Sequence, residues 1–149
     1  MDIDFKEGEH RFLLRCSAVI TNREKTKVIL FKVKGRDVYM LPGGRINYLE
    51  DSYKAIKREM EEELGITSDY KLLCVEENFL LEKKVQNIEF IYHTVVDDIK
   101  EIKGVEDKNQ EFVLINIDKI NNYNLKPVFL KELIKNVNND TVIHKINYE

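Results

Sequence analysis

Gly44 to Ile66 reads GRINYLEDSYKAIKREMEEELGI. Within it, Ser52 to Leu64 has good helix formers and no internal Gly or Pro, and Gly65 stands where a C-terminal stop belongs. The stretch therefore predicts a helix over 52–64. Asp51 or Ser52 can cap its start, and Glu50 lies close to the positive end of the helix dipole. At about 100° per residue, Tyr53, Ile56, Met60 and Leu64 fall in one stripe, the expected buried face. Glu59, Glu62 and Glu63 cluster on a second face, roughly 100° round from the first. Lys54, Lys57 and Glu61 take the outermost positions, so the three carboxylates sit on the flank where the helix borders the core. A solvated face is the ordinary fate of a Glu-rich run. Here Glu59 and Glu63 form an i,i+4 like-charge pair, which costs roughly a few tenths of a kcal/mol, and Glu62 adds to it. A hard divalent cation removes that conflict, because Mg²⁺ or Mn²⁺ takes carboxylate oxygens, keeps several waters and shares substrate phosphate oxygens.

The spacing of the same stretch resembles the Nudix box, G-x5-E-x7-R-E-U-x-E-E-x-G-U with U an aliphatic residue. Gly44, Glu50, Arg58, Glu59, Met60, Glu62, Glu63, Gly65 and Ile66 meet every fixed position. With residue frequencies of several per cent, such a coincidence arises on the order of once in 10⁹ positions. The match spans 23 of the 149 residues. Pro42-Gly43-Gly44 also resembles the family's usual lead-in, a short strand ending in PGG. Its ordinary reading is a turn, and in this position the glycines would let backbone N–H groups approach a phosphate.

The rest of the chain frames that box. A length of 149 residues suits one domain with a real core. A formal net charge of −3 argues against a protein that binds nucleic acid by bulk charge. The first ten residues hold no apolar signal region, and no run approaches the roughly 18 apolar residues of a membrane span. Cys16 and Cys74 are isolated among apolar neighbours and read as buried free thiols of a reducing compartment, so the expected location is the cytoplasm. None of the three histidines has zinc-pair spacing, and His93 is expected on the polar side of its strand.

Arg11–Thr21, Lys27–Val33 and a short Val38–Leu41 read as strands. Beyond the box, Tyr70–Leu81 is extended with a polar break at Glu76 to Asn78. Ile88–Val96 alternates as a strand covered mainly on one side. The stretch 97–110 reads as a surface loop, Phe112–Ile117 as a strand, Val128–Val137 as an amphipathic helix after Pro127, and Thr141–Ile146 as a final strand. This order alone supports an α/β or α+β layered domain. The resemblance implies more: a single Nudix domain over residues 1–149, a mixed β-sheet sandwiched between α-helices, with the box as a loop–helix–loop.

It also implies a function. Nudix proteins mostly hydrolyse a diphosphate bond in a nucleoside diphosphate linked to another moiety. Such a site must supply positive charge and position water, which Mg²⁺, or Mn²⁺ as a substitute, does. By position, Glu59 and Glu63 are the expected metal ligands, and Glu62 a further ligand or an aid to activating water. Arg58 holds the carboxylates by an ion pair. Glu50 secures the loop–helix–loop or assists the metal site, and Gly44 and Gly65 shape its ends. The general base in the family is often a Glu from a later loop; Glu111 is the candidate, with Glu106 and Asp107 as alternatives. Gly43 and Gly44 are expected against phosphate, and Tyr39 against the organic part.

The expected partner is a small nucleoside diphosphate derivative, with no nucleic acid and no membrane; the oligomeric state stays open, a homodimer among the options. The ADP-ribose-type subgroup usually has a Pro about 15 residues past the box, where this chain has Leu80-Leu81. The Tyr of the diadenosine-polyphosphate subgroup and the NADH-type proline-rich signature are absent too. A nucleoside triphosphate, a nucleotide sugar or a small diphosphate remains. The competing classes are a nucleotide-binding regulator without turnover, which usually has a degraded box, and a structural protein, which the complete box opposes.

Overall fold

The computed structural model describes residues 1–104 and 110–149. Its strands are β1 (Asp4–Glu7), β2 (His10–Thr21), β3 (Lys27–Val33), β4 (Tyr39–Met40), β5 (Gly43–Arg45), β6 (Lys71–Leu80), β7 (Val85–Val95), β8 (Gln110–Asn116) and β9 (Ile143–Tyr148). The helices are α1 (Ser52–Leu64) and α2 (Leu130–Lys135), with short 3-10 turns at Ile99–Glu101 and Ile117–Asn122. Among the described residues the nine strands form one mixed sheet. The β2–β7 and β6–β9 pairs are parallel and the others antiparallel. No described helix is long and apolar enough to cross a membrane.

The sheet is split along one seam. Strands β2 and β3 pair only at Thr21↔Val28. Below that point the free edge of β2 is taken by β5 and β1, while β3 pairs with β4 and β8. Backbone N–H and C=O groups pair whatever the side chains, so two small, largely polar strands satisfy edges that would otherwise lie open.

Both faces of the sheet are covered. On one, Ala55, Ile56, Met60 and Leu64 of α1 pack against Cys16, Ala18, Ile20 and Tyr92. On the other, Leu130, Leu133 and Ile134 of α2 pack against Val19, Leu30, Cys74 and Ile91. Each fully buried apolar side chain contributes about 1.5–3 kcal/mol, several times the like-charge cost within α1. Packing decides that this helix forms, and its charges have to adapt.

The mixed sheet between two helices matches the expectation, and several local readings need correction. Tyr53 is 36% exposed and Ala55 replaces it in the buried stripe. Strand β6 runs unbroken through Glu76, Glu77 and Asn78, because their backbones pair with both β7 and β9. The β7 strand is covered on both faces: Ile91 and His93 are buried as well as Tyr92 and Thr94. His93 does not face solvent; its Nε2 lies 2.8 Å from Thr21 Oγ1. Gly43 and Gly44 belong to β5 rather than to a free turn. The charged stretch after β7 contains the turn at Ile99–Glu101, anchored by buried Ile99. Helix α2 is shorter than its apolar spacing predicts, Ile117 opens a 3-10 turn, and β1 was not expected at all.

Candidate active site

Helix α1 starts at Asp51, whose carboxylate accepts the Lys54 N–H at 2.8 Å. It ends at Gly65, with φ 65°, where the left-handed backbone favours glycine. Before it, a tight turn brings the Glu50 N–H to the Asn47 carbonyl at 3.1 Å, while Glu50 Oε1 accepts the Asn47 N–H at 3.1 Å.

Arg58 reaches back across this loop and binds three groups. Its Nε and Nη2 donate to the two oxygens of Glu50 at 2.8 and 2.9 Å, Nη2 also donates to the Arg45 carbonyl at 3.1 Å, and Nη1 donates to Glu59 Oε1 at 2.9 Å. A planar guanidinium can bridge loop, strand and helix in this way; an ammonium cannot. The Arg58 guanidinium holds the Glu50 carboxyl below its ordinary range. Glu62 is the outlier, 3.5 Å from Arg58 and 61% exposed at its side chain.

Glu59 lies against β5 because Gly44 leaves room: a Cβ on Gly44 would overlap the Glu59 carboxyl group. A Cβ on Gly43 would overlap the Cys16 carbonyl oxygen. Glu63 stands one turn further on. Burial first, then the neighbouring Glu59, push its carboxyl up to about 7, with Arg15 opposing. Two hard oxygen donors thus face one half-buried spot and compete for a proton there. Among the described residues, no group of three His, Cys, Asp or Glu side chains converges on one metal position. The donor set therefore fits an ion held by one or two carboxylates, waters and substrate phosphate, the usual mode for Mg²⁺, rather than an all-protein cage.

Glu63 and Gly43 line a cavity of about 490 Å³ that opens in the seam between the two parts of the sheet. Small-molecule sites span about 300–1,000 Å³. Its walls include Leu13, Phe31, Met40, Leu41 and Leu130, and its polar groups Arg15, Glu76, Asn78, Asn87 and Glu89. A slightly larger hollow of about 620 Å³ at the β1–β2 end contains none of the box residues, so we place the chemistry at the smaller one. In it Arg15 donates to Glu89 at 2.8 Å, and Ser17 donates to the other Glu89 oxygen at 3.2 Å.

The structure brings Gly44, Glu50, Arg58 and Glu59 together, sets Gly43 and Glu63 on the cavity beside them, and leaves Gly65 at the far end of α1. Tyr39 and Glu111 do not line the cavity. Tyr39 stands edge-on to Tyr123, ring centres 5.0 Å apart, and packs on the core beneath α2. Glu111 is exposed on β8 opposite Lys32, one residue from Gln110, which does line the cavity. Glu106 and Asp107 lie outside the described residues. Sequence reading missed Arg15, Glu76 and Glu89. Their signal was parity: each falls on the face of its strand shared with Val19, Cys74 or Ile91.

The comparisons agree with this geometry. The NUDIX domain family matches residues 12–137. No curated protein matches the chain. The MutT Nudix hydrolase of Burkholderia pseudomallei is 28% identical with a TM-score of 0.62, over 72% of this chain and 84% of its own. The MutT protein of Bacillus halodurans is 19% identical with a TM-score of 0.72, over 91% and 90%. The Nudix domain of Shewanella oneidensis NrtR, complexed with ADP ribose, is 17% identical with a TM-score of 0.70, over 91% of each chain. The last two speak for the fold alone. A box complete at every fixed position, held by Arg58 at the mouth of a cavity and matched by the family across most of the chain, makes this protein a member of the Nudix hydrolase family.

Proposed function

We propose that the chain hydrolyses a diphosphate bond of a nucleoside diphosphate derivative, with Mg²⁺ or Mn²⁺ as its cofactor. The observation that carries this is the pair Glu59 and Glu63, one helical turn apart, seated against β5 beside the cavity. Such a pair repels until a cation joins it.

In this reading Glu59 and Glu63 hold the metal, and Glu62 reaches it from the exposed side. The bound ion supplies Lewis acidity and a more acidic water. Arg58 keeps Glu59 on its flank and ties Glu50 to the helix, which fixes the ligand geometry before substrate arrives. Gly43 and Gly44 are our candidates to meet phosphate through the β5 backbone, and Arg15 adds positive charge from β2. Glu111 is our candidate to accept the water's proton, on the ground of its place in the chain at the start of β8, just after the loop from which the family often draws its base. The organic part lies in the seam rather than on Tyr39. A nucleoside triphosphate, a nucleotide sugar or a small diphosphate meets these demands.

The test is phosphate and pyrophosphate release from a nucleotide panel, with Mg²⁺, with Mn²⁺ and with chelator, scored by product identity. Metal-dependent cleavage between two phosphates is expected. Saturable nucleotide binding without products would make the chain a binding domain instead.

A further inference from the structure

Glu76 has no part in the box, yet it lines the cavity at 1% exposure. Its Oε2 has no hydrogen-bond partner among the described residues. An unpaired buried polar group costs roughly 1–3 kcal/mol, and native proteins keep few of them. The groups around Glu76 do not relieve it. Glu89, directly opposite on β7, is engaged by Arg15 and Ser17. Lys145, opposite on β9, directs its ammonium over the Phe129 ring, 5.4 Å from the centre. Glu149 adds negative charge from the chain end, Cys74 shares the face, and Lys83 and Lys126 stand elsewhere on the cavity wall. Burial and the facing Glu89 both disfavour a second negative charge. A neutral carboxyl offers one O–H donor beside one carbonyl acceptor.

The neighbouring amides extend that pattern. Asn147 donates to Asn78 at 2.8 Å, and Asn78 donates to Asn87 at 3.0 Å. This leaves the Asn87 amide nitrogen at the cavity wall. Apolar walls with a few convergent polar groups are how planar ligands are oriented. We propose that Glu76 is the specificity-determining residue of this cavity, pairing through its carboxyl group with a heterocyclic base edge that presents a donor beside an acceptor. The amino and ring-nitrogen edge of cytosine or adenine has that form. Two adjacent donors, as on the N1–N2 edge of guanine, call for an ionised carboxylate instead. The proposal rests on the hydrolase reading for the position of the diphosphate, and names the part of the substrate that reading leaves open.

The probes are CTP, ATP and GTP with Mg²⁺ for turnover, and their α,β-methylene analogues for affinity by calorimetry. Wild type is compared with Glu76→Gln and Glu76→Leu. Gln keeps a donor beside an acceptor, so it should stay within about threefold of wild type. Leu should raise KM and Kd about tenfold or more for CTP or ATP, with kcat within about threefold. Burial, with Glu89 and Glu149, pushes the Glu76 carboxyl up to about 8. Wild-type affinity for CTP or ATP should therefore fall above about pH 8, while Glu76→Gln should stay flat. A purely structural role would change melting without this pH signature.

Leu binding as well as wild type, Gln failing as badly as Leu, or GTP as the preferred ligand would each overturn the proposal. Should Leu not fold, the pH comparison of Gln with wild type decides alone. Hydrolysis indifferent to Glu76 keeps the hydrolase reading and overturns this inference. Glu76-dependent binding without hydrolysis does the reverse, and neither binding nor hydrolysis of any of the three overturns this inference, while the hydrolase reading is decided by the wider panel.

Discussion

Gly44 and Glu59 are fitted to each other: the Glu59 carboxyl group fills the space a Cβ on Gly44 would take. The Glu59 side chain can swing away from an added methyl, whereas the Cys16 carbonyl facing Gly43 belongs to a strand backbone and cannot. Gly44→Ala should therefore keep stability within about 1 kcal/mol and lower turnover about tenfold or more by displacing Glu59. Gly43→Ala should lose stability first. Melting curves and rates on both variants check this, and unchanged turnover in Gly44→Ala would sink it.

Glu63→Gln separates metal binding from folding. At about pH 8, where Glu63 is mostly ionised, the variant should melt higher than wild type in chelator, because Glu59 loses a like-charged neighbour. In Mg²⁺ wild type should gain stability by binding and the variant should not. Turnover should drop by about two orders of magnitude or more. A variant within about threefold of wild type, with the same Mg²⁺ requirement, would place the chemistry elsewhere.

Arg58→Lys tests the bridge between loop and helix. The lysine keeps the charge and loses the fork that holds both Glu50 oxygens. We expect a loss of roughly 1–3 kcal/mol, the range for leaving a partly buried charged group short of partners. The apparent Mg²⁺ affinity should also weaken. Denaturant midpoints and Mg²⁺ titrations read the two effects separately.

Most of the box was legible because a helix repeats every 3.6 residues and its fixed residues sit at meaningful spacings. That geometry put Glu59 and Glu63 on one flank, while the role of Arg58 came from the resemblance to the Nudix box. The cavity was not legible. Glu76, Glu77 and Asn78 read as a break because polarity was taken as exposure, whereas β9 and β7 pair with their backbones and bury the strand. Pairing with β9 joins residues about seventy positions apart, which no local pattern encodes. Tyr53 failed for the opposite reason: its ring does meet Tyr92 of β7 edge-on, 6.0 Å between centres, but it stays at the rim of the packed face and keeps its outer side in solvent.

Stability should fall towards both ends of the pH range, through His93 on the acid side and through Glu76, with Glu63, as pH rises. Burial lowers His93 from 6.5 to about 4. Between those values the unfolded chain binds a proton that the folded one refuses, so stability falls as pH drops from 6.5 to 4. Glu76 works the other way. Raised from 4.5 to about 8, it holds a proton that the unfolded chain has released, so its contribution is lost as pH rises through that window. Glu76→Gln should flatten the alkaline limb and His93→Gln the acid one, each by on the order of 1 kcal/mol or more. Denaturant midpoints against pH give both slopes.

Tyr39→Ala should lower stability by roughly 1–3 kcal/mol and leave KM unchanged, because its ring packs on Tyr123 and not in the seam. A raised KM at unchanged melting temperature would return Tyr39 to the substrate.

The central β2–β7 pairing has a kinetic consequence. Arg15 and Glu89 meet across 74 positions of chain, and the parallel register extends from Arg11↔Val85 to Thr21↔Val95. Closing a loop of that length must precede the contacts that reward it, which places this step late and makes folding slow for a chain of this size. Helix α1 lies inside that loop and is local. In pulsed hydrogen exchange its amides should gain protection before those of β2 and β7, so that the metal-binding flank takes shape before the cavity it serves. Simultaneous protection of all three would show instead that α1 has no hold on its conformation until the sheet is there to receive it.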